Sequence, residues 1–365
     1  MFKVVERWYK RKFSDPDSAM LLIMLIITSV LLLTWGGILM PAIVAAVIAY
    51  LLDWPVTQLN RLGLSRGLAT VMVLLTFIAL SILTFIGVVP VVTQQSINLV
   101  KESPQIWAEG QAWLLRLPDT YPELVQVGHI QTMLQSVNIK IVSFGEKLLT
   151  ASVSSLGDLG ILLIYVILVP LMVFFMLKDK DELVRNISAL LPSERRLIKQ
   201  VGTEMNGQIA NYIRGKVIEI VIVGAVSVIV FALMDLRYAL LLGVLVGFSV
   251  LIPYIGAAVV TIPVAVVAMF EWGLSPDFWY LMAAYAVIQA LDGNVLVPIL
   301  FSEAVSLHPV YIIIAVLFFG GIWGFWGVFF AIPLATLVKA VANAWSGPNN
   351  NDQHDPSTQD VLTTL

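Results

Sequence analysis

Residues 238–270 read YALLLGVLVGFSVLIPYIGAAVVTIPVAVVAMF. The stretch is apolar almost throughout, yet Pro253 and Gly256 divide it in two. Each half, about 238–252 and 257–270, offers about 15 residues, or about 22 Å of helix at 1.5 Å per residue. A hydrocarbon core about 30 Å thick needs more. Pro253 removes an amide donor, and Gly256 permits a sharp turn beside Tyr254. The economical solution is a re-entrant hairpin or a broken pair of short spans.

A second interruption follows at 277–305. Its centre, AVIQALDGNVLVPIL at 286–300, holds Gln289, Asp292, Gly293, Asn294 and Pro298 within apolar flanks. A carboxylate in hydrocarbon costs several kcal/mol, about 3 on insertion scales. As a loop in water, LDGN would form a simple turn. At membrane depth, Gln289, Asp292 and Asn294 would line a polar cavity and offer oxygen ligands to a cation or hydroxylated solute. Burial could also make Asp292 a proton carrier. Glu303 and His308 are further candidates for proton coupling. The expected hinge or turn residues are Pro253, Tyr254, Gly256, Gly293 and Pro298.

Composition puts these segments in a membrane. Of 365 residues, 59% are hydrophobic and 12% charged, against about a quarter charged in soluble domains. Mean hydropathy is +0.91. The net charge of −3 gives no case for nucleic acid. The chain has no cysteine, so thiol chemistry and thiolate metal sites are excluded. Its three histidines form no ligand cluster. The P-loop, HExxH and GxSxG patterns are missing, and Asp292 has no evident intramembrane aspartate partner for a protease dyad. No enzyme, cofactor or metal is expected.

Working outward, apolar runs at about 19–35, 38–52 and 67–92 predict three spans behind a basic N-terminal segment. The first run is read as an uncleaved span. Residues 93–154 turn polar, and Pro104, Pro118 and Pro122 predict short helices there, placed in the periplasm by their balanced charge. A fourth span is expected at 155–177, then a basic cytoplasmic segment at 178–216, then a fifth span at 217–234. Glu219, just inside that span, is expected to snorkel to the interface or pair with Lys216. The run at 309–341 predicts one tilted span or a hairpin. GxxxG spacings at 243/247 and 320/324 favour close helix contact. The predicted fold is an all-α polytopic membrane protein of about six full spans and two re-entrant or broken hairpins. Its divisions are 1–92, 93–154, a core at 155–345 with broken helices at 238–270 and 277–305, and a disordered tail at 346–365. Counting crossings places both termini in the cytoplasm.

Several of these segments carry a family resemblance. WYKRKFSDP at 8–16, VPLMVFFMLKDKDEL at 169–183 and NYIRGKVIEIVIVG at 211–224 mark the first part of the chain. GVLVGFSVLIPYIGA at 243–257, IQALDGNVLVPILFSEAVSLHP at 288–309 and FGGIWGFWGVFFAIPLATLVKAV at 319–341 mark the rest. By them the chain resembles the autoinducer-2 exporter family of bacterial inner-membrane proteins. The resemblance implies a permease that exports a small polar solute such as autoinducer-2, or exchanges monovalent cations for protons. It also implies a homo-oligomer, a pentamer, within the lipid bilayer. The alternative is a non-transporting scaffold or regulator that keeps a transporter-like core.

Overall fold

The computed structural model describes residues 16–120, 159–189, 196–301 and 307–346. Among these residues the secondary structure is helical, without strands. The helices are α1 (Pro16–Arg61), α2 (Arg66–Thr120), α3 (Leu159–Lys178), α4 (Lys180–Ala189), α5 (Arg196–Leu233), α6 (Ala239–Ser249), α7 (Ile255–Trp272), α8 (Pro276–Leu291), α9 (Val297–Phe301), α10 (Pro309–Phe329) and α11 (Ala331–Ser346). A π-helical turn, Asp292–Leu296, joins α8 to α9. Six helical segments are long and apolar enough to cross a membrane, with shorter apolar helices between them. The chain is an all-α polytopic membrane protein.

The runs at 19–35 and 38–52 are not separate spans. They lie on α1, a continuous helix of 46 residues that passes through Gly36, Gly37 and Pro41. The junction between them carries no charge or polar turn residue. In hydrocarbon, continuing the helix is how the backbone keeps its hydrogen bonds. The same logic extends α2, whose 55 residues run past Pro90, Pro104 and Pro118. Polar residues 93–120 therefore prolong a membrane helix instead of forming short pieces. Residues 121–154, with Pro122, lie outside the described residues, as do Glu303 and the tail from residue 347.

Two compact units divide the chain: Met40–Leu183 with Asn211–Ser302, and Met1–Leu39 with Val184–Ala210 and Glu303–Leu365. In the first, one core joins Ala45, Ala49, Leu52 and Val56 of α1 to Ala69 and Val73 of α2 and Val169, Val173 and Leu177 of α3. Small residues at i, i+4 suit this contact, because helix association in lipid relies on close packing. A second core, around Leu242, Val246, Val264 and Leu281, holds α6, α7 and α8 together. In the other unit, Ile198, Val201 and Met205 of α5 pack on Val341 of α11.

Two polar clusters bracket the first unit. Lys180 reaches Asp53 at 2.8 Å, and Arg66 donates to the Leu177 carbonyl at 2.8 Å and approaches Asp181 at 3.6 Å. At the other end, Arg237 pairs with Glu102 at 3.1 Å, and its amide donates to Glu271 at 2.7 Å. Arg66 and Glu102 lie on α2. Their 36-residue separation is about 54 Å along the helix, well beyond a hydrocarbon core of about 30 Å. The clusters therefore stand on opposite sides of the membrane. Arg237 precedes α6 and Glu271 ends α7, so α6 and α7 enter and leave on one side. The pair is a helical hairpin broken at Val250–Tyr254, where a re-entrant hairpin or a broken pair of short spans was expected.

The interruption at 277–305 has a different form. LDGN does not reverse the chain: helix continues from Pro276 to Phe301 through the π turn. Its ring closes by the Val297 amide donating to the Asp292 carbonyl, five residues back. A π turn absorbs an extra residue while keeping backbone groups bonded. The second reversal instead falls within 309–341. Gly324, with φ 58° and ψ −133°, kinks α10, a conformation that favours glycine. A Cβ on Gly327 would overlap the Phe319 carbonyl, and one on Gly320 would meet Val328 at 2.7 Å. The chain thus folds back on itself, and α10 packs along α11.

Candidate functional site

The tip of the α6–α7 hairpin, Val250–Tyr254, is the natural starting point. Helix α6 ends after Ser249, leaving carbonyls without helical partners. Part of the turn is closed by its own backbone: the Ile255 amide donates to Pro253 at 2.7 Å and the Gly256 amide to Ile252 at 2.8 Å. Tyr254, half-exposed to the surroundings, takes the left-handed backbone with φ 62°. Gly256 serves closeness instead. A Cβ there would overlap the Ser249 carbonyl oxygen.

The Val250 carbonyl is satisfied from another helix. Lys216 Nζ, on α5, donates to it at 2.9 Å. The same ammonium lies 2.7 Å from Glu219 Oε2, one turn along α5, and both side chains are less than 5% exposed. It also sits 5.2 Å from the centre of the Phe301 ring, within cation–π range. Phe301 packs on Tyr212, ring centres 5.9 Å apart. Gly215 makes this approach possible, since a Cβ there would lie 2.7 Å from Phe301 Cε1. A lysine ammonium is thus enclosed by a carbonyl, a carboxylate and an aromatic face, from three elements.

Asp292 opens the π turn beside this arrangement. Its Oδ1 is buried and receives no hydrogen bond. Asp292 is near enough to Lys216 and Glu219 for their charges to be felt, without an ion pair to either. LDGN is helical here and not a loop. Arg214, also on α5, donates to Asn211 at 3.0 Å.

The other expected residues separate. Gln289 donates to the Tyr285 hydroxyl at 2.8 Å, and Tyr285 donates to the Ala257 carbonyl at 3.3 Å. Gln289 therefore ties α8 to the second limb of the hairpin. Asn294 is exposed and donates to the Ala290 carbonyl of its own helix at 2.8 Å. Gly293 and Pro298 are exposed on the same helix. His308 caps α10, its Nδ1 accepting from the Val310 amide at 3.3 Å. Glycines 243 and 247 serve the expected close contact: Cβ atoms there would meet Val228 and Gly224 of α5 within 3 Å.

Lys216 and Glu219 were legible only as a pair at helical spacing near a span's end. The readable signal was their position, a Lys and a Glu one turn apart where an apolar run begins. Phe301, Gly215 and the Val250 carbonyl gave no such signal.

The AI-2E family transporter model matches residues 20–347. The chain belongs to the AI-2E transporter family. It is 48% identical over 345 residues to the Escherichia coli (strain K12) protein named "Putative permease PerM", covering 94% of this chain and 98% of that one. It is 25% identical over 305 residues to the Bacillus subtilis protein named "Putative transport protein YueF", covering 82% of each. A Synechocystis protein named "Putative transport protein sll0063" is 26% identical over 309 residues, 83% of this chain and 76% of that one. The site described above lies within the AI-2E match. Transport is the role shared by the family and by these names, and the chain is a membrane transport protein.

Proposed function

We propose that this AI-2E family protein is a secondary transporter of a bacterial inner membrane whose path passes the α6–α7 tip. It exports a small polar solute of the autoinducer-2 kind or exchanges a monovalent cation for protons. The observation that carries this reading is the enclosure of Lys216 and Glu219 at the α6–α7 tip, beside the buried Oδ1 of Asp292. Ionisable groups in a membrane protein are expensive and mark transport pathways. Broken helices whose unbonded carbonyls meet such groups are a transporter device. A scaffold has no use for a charge of this cost at the one place where two limbs of a hairpin meet. The homo-oligomer, a pentamer, belongs to the same proposal.

Asp292→Asn tests the reading. Purified protein in proteoliposomes is assayed with a panel of small solutes and monovalent cations, with and without a pH gradient. Asn keeps the shape and removes charge and titration. The expected outcome is at least a tenfold loss of flux, or loss of its pH coupling, with unchanged insertion and assembly. Wild-type flux with wild-type pH dependence in Asp292→Asn would sink the proposal.

The orientation we propose follows the basic residues. Arg61, Arg66, Lys178 and Lys180 cluster at one end of the first unit, and the basic excess continues to residue 216. The positive-inside rule makes that face cytoplasmic. The hairpin α6–α7 then opens to the periplasm. Helix α8–α9 returns the chain inward, and the fold-back at Gly324 keeps the C-terminus inside. The N-terminal segment is proposed inside by its Lys and Arg, which requires that α1 does not make a single complete crossing between Lys12 and Leu62. Single cysteines introduced into this cysteine-free chain check the scheme with an impermeant maleimide on intact cells. Gly273→Cys is expected to react from outside, and Leu62→Cys and Lys12→Cys to be protected. Outside labelling at 62 would reverse the orientation. Outside labelling at 12 alone would show that α1 crosses once and carries the N-terminus to the periplasm.

A further inference from the structure

The Lys216 environment has the makings of a cation site that the chain itself fills. Its ammonium contacts the Val250 carbonyl, the Glu219 carboxylate and the Phe301 ring face. Carbonyl and carboxylate oxygens bind alkali cations as readily as ammonium, and an aromatic face attracts either. The charge count points the same way. Lys216 contributes one positive charge, and Glu219 and Asp292 two negative charges when ionised. Asp292 Oδ1 is buried without a hydrogen-bond donor, while Glu219 Oε2 has only the Lys216 ammonium, 2.7 Å away. The cluster therefore lacks one cation or proton, and it has ligand oxygens to spare.

An alternative role for Lys216 is a fixed cap on the C-terminal end of α6. Cations do favour that position. A cap alone, however, accounts for neither the second carboxylate nor its bare oxygen, Asp292 Oδ1. Nor does a buried ion pair by itself argue for stability.

We propose that the hairpin tip is a site for a small monovalent cation, alkali metal or primary ammonium, occupied in this conformation by the tethered Lys216 ammonium. A free cation arriving at the tip competes with Lys216 for the Val250 carbonyl and Glu219, with the Asp292 carboxylate nearby. Displacing Lys216 breaks the hydrogen bond that fastens the hairpin to α5. Occupancy by a free cation and release of the tip are then one event. The use of this event in transport rests on the function proposed above; the existence of the site does not.

The test reads binding, not flux. Thermal unfolding of the purified full chain in detergent is followed by tryptophan fluorescence. LiCl, NaCl, KCl or ethylammonium chloride is titrated against N-methylglucamine chloride at constant ionic strength. A tethered group presents an effective concentration in the millimolar range or above. Lys216→Ala is therefore expected to bind a small cation at least about tenfold more tightly than wild type, read as a saturable rise in unfolding temperature. Glu219→Gln in the Lys216→Ala background should abolish that rise. The alkali and ethylammonium arms tell which class the site takes. Because Lys216→Ala leaves a buried carboxylate bare, it is purified in parallel in ethylammonium and in N-methylglucamine. Recovery in ethylammonium alone supports the proposal.

Equal behaviour in all cations, in Lys216→Ala and in wild type up to high concentration, would overturn it, as would a rise that survives Glu219→Gln. Binding in Lys216→Ala without flux in any assay would refute the transporter reading and leave the site standing. Flux in wild type without cation-specific binding would do the reverse.

Discussion

Gly256→Leu is expected to prevent the hairpin tip from closing, whereas Gly87→Leu leaves the protein folded. A Cβ at Gly256 would overlap the Ser249 carbonyl oxygen and lie 2.7 Å from its carbon and 3.2 Å from its Cα. All three are backbone atoms, so no rotamer change relieves the clash. Relief requires separating α6 from α7, which also pulls the Val250 carbonyl from Lys216. Overpacking of ordinary cores costs about 1–3 kcal/mol because side chains can yield. Here the cost should exceed about 3 kcal/mol, which places it among the severe single substitutions. Gly87 has nothing within 4 Å of its would-be Cβ. Urea-dependent unfolding in detergent and limited proteolysis at the tip compare the two. Equal stability of the two variants would show that the close approach at Ser249 is not required.

The ion pair at the tip should be costly to break and cheap to remove. Glu219→Leu leaves the Lys216 ammonium buried with one carbonyl and a ring face. Lys216→Met leaves Glu219 buried with no partner at 2.7 Å. Breaking a buried pair from one side costs about 3–5 kcal/mol. The double variant Lys216→Met/Glu219→Leu replaces both charges by apolar side chains of similar size. It is expected to recover most of the loss, with a coupling of about 1–3 kcal/mol between the positions. Recovery should be incomplete, because the Val250 carbonyl then lacks a donor. Folding and flux should part company in this variant: assembly near wild type, and transport absent. Additive losses in the double variant would mean that the two side chains do not act as a pair.

Legibility in the sequence followed chain-local physics. Helix length against bilayer thickness gave the break at 238–270, since α6, before Pro253, is too short to cross. Charge imbalance separated 178–216 from 93–154. The same local rules misjudged three places. Gly36–Gly37 looks like a break in water, but an apolar medium carries the helix through it; Pro104, beyond the core, is passed as part of the long helix α2. LDGN has the composition of a turn, yet a π turn keeps its backbone bonded without one. Gly324 lies among four glycines of GGIWGFWG, and only its φ of 58° marks it as the point of reversal.

Of the candidate site, the sequence by itself determined that an aspartate and broken helices lie within an apolar membrane core, because side-chain charge and helix length are properties of short segments. Only the tertiary structure decided which groups share a site. Lys216 and Glu219 are neighbours by spacing alone, but their burial depends on Val250, 34 residues from Lys216, and on Phe301 beyond the π turn. Asp292 joins them, while Asn294, two residues on, faces away. The physical reason is that hydrogen bonding and burial at the tip are fixed by the packing of α5, α6 and α9, and no segment carries in its own composition the carbonyl or ring that another segment will supply.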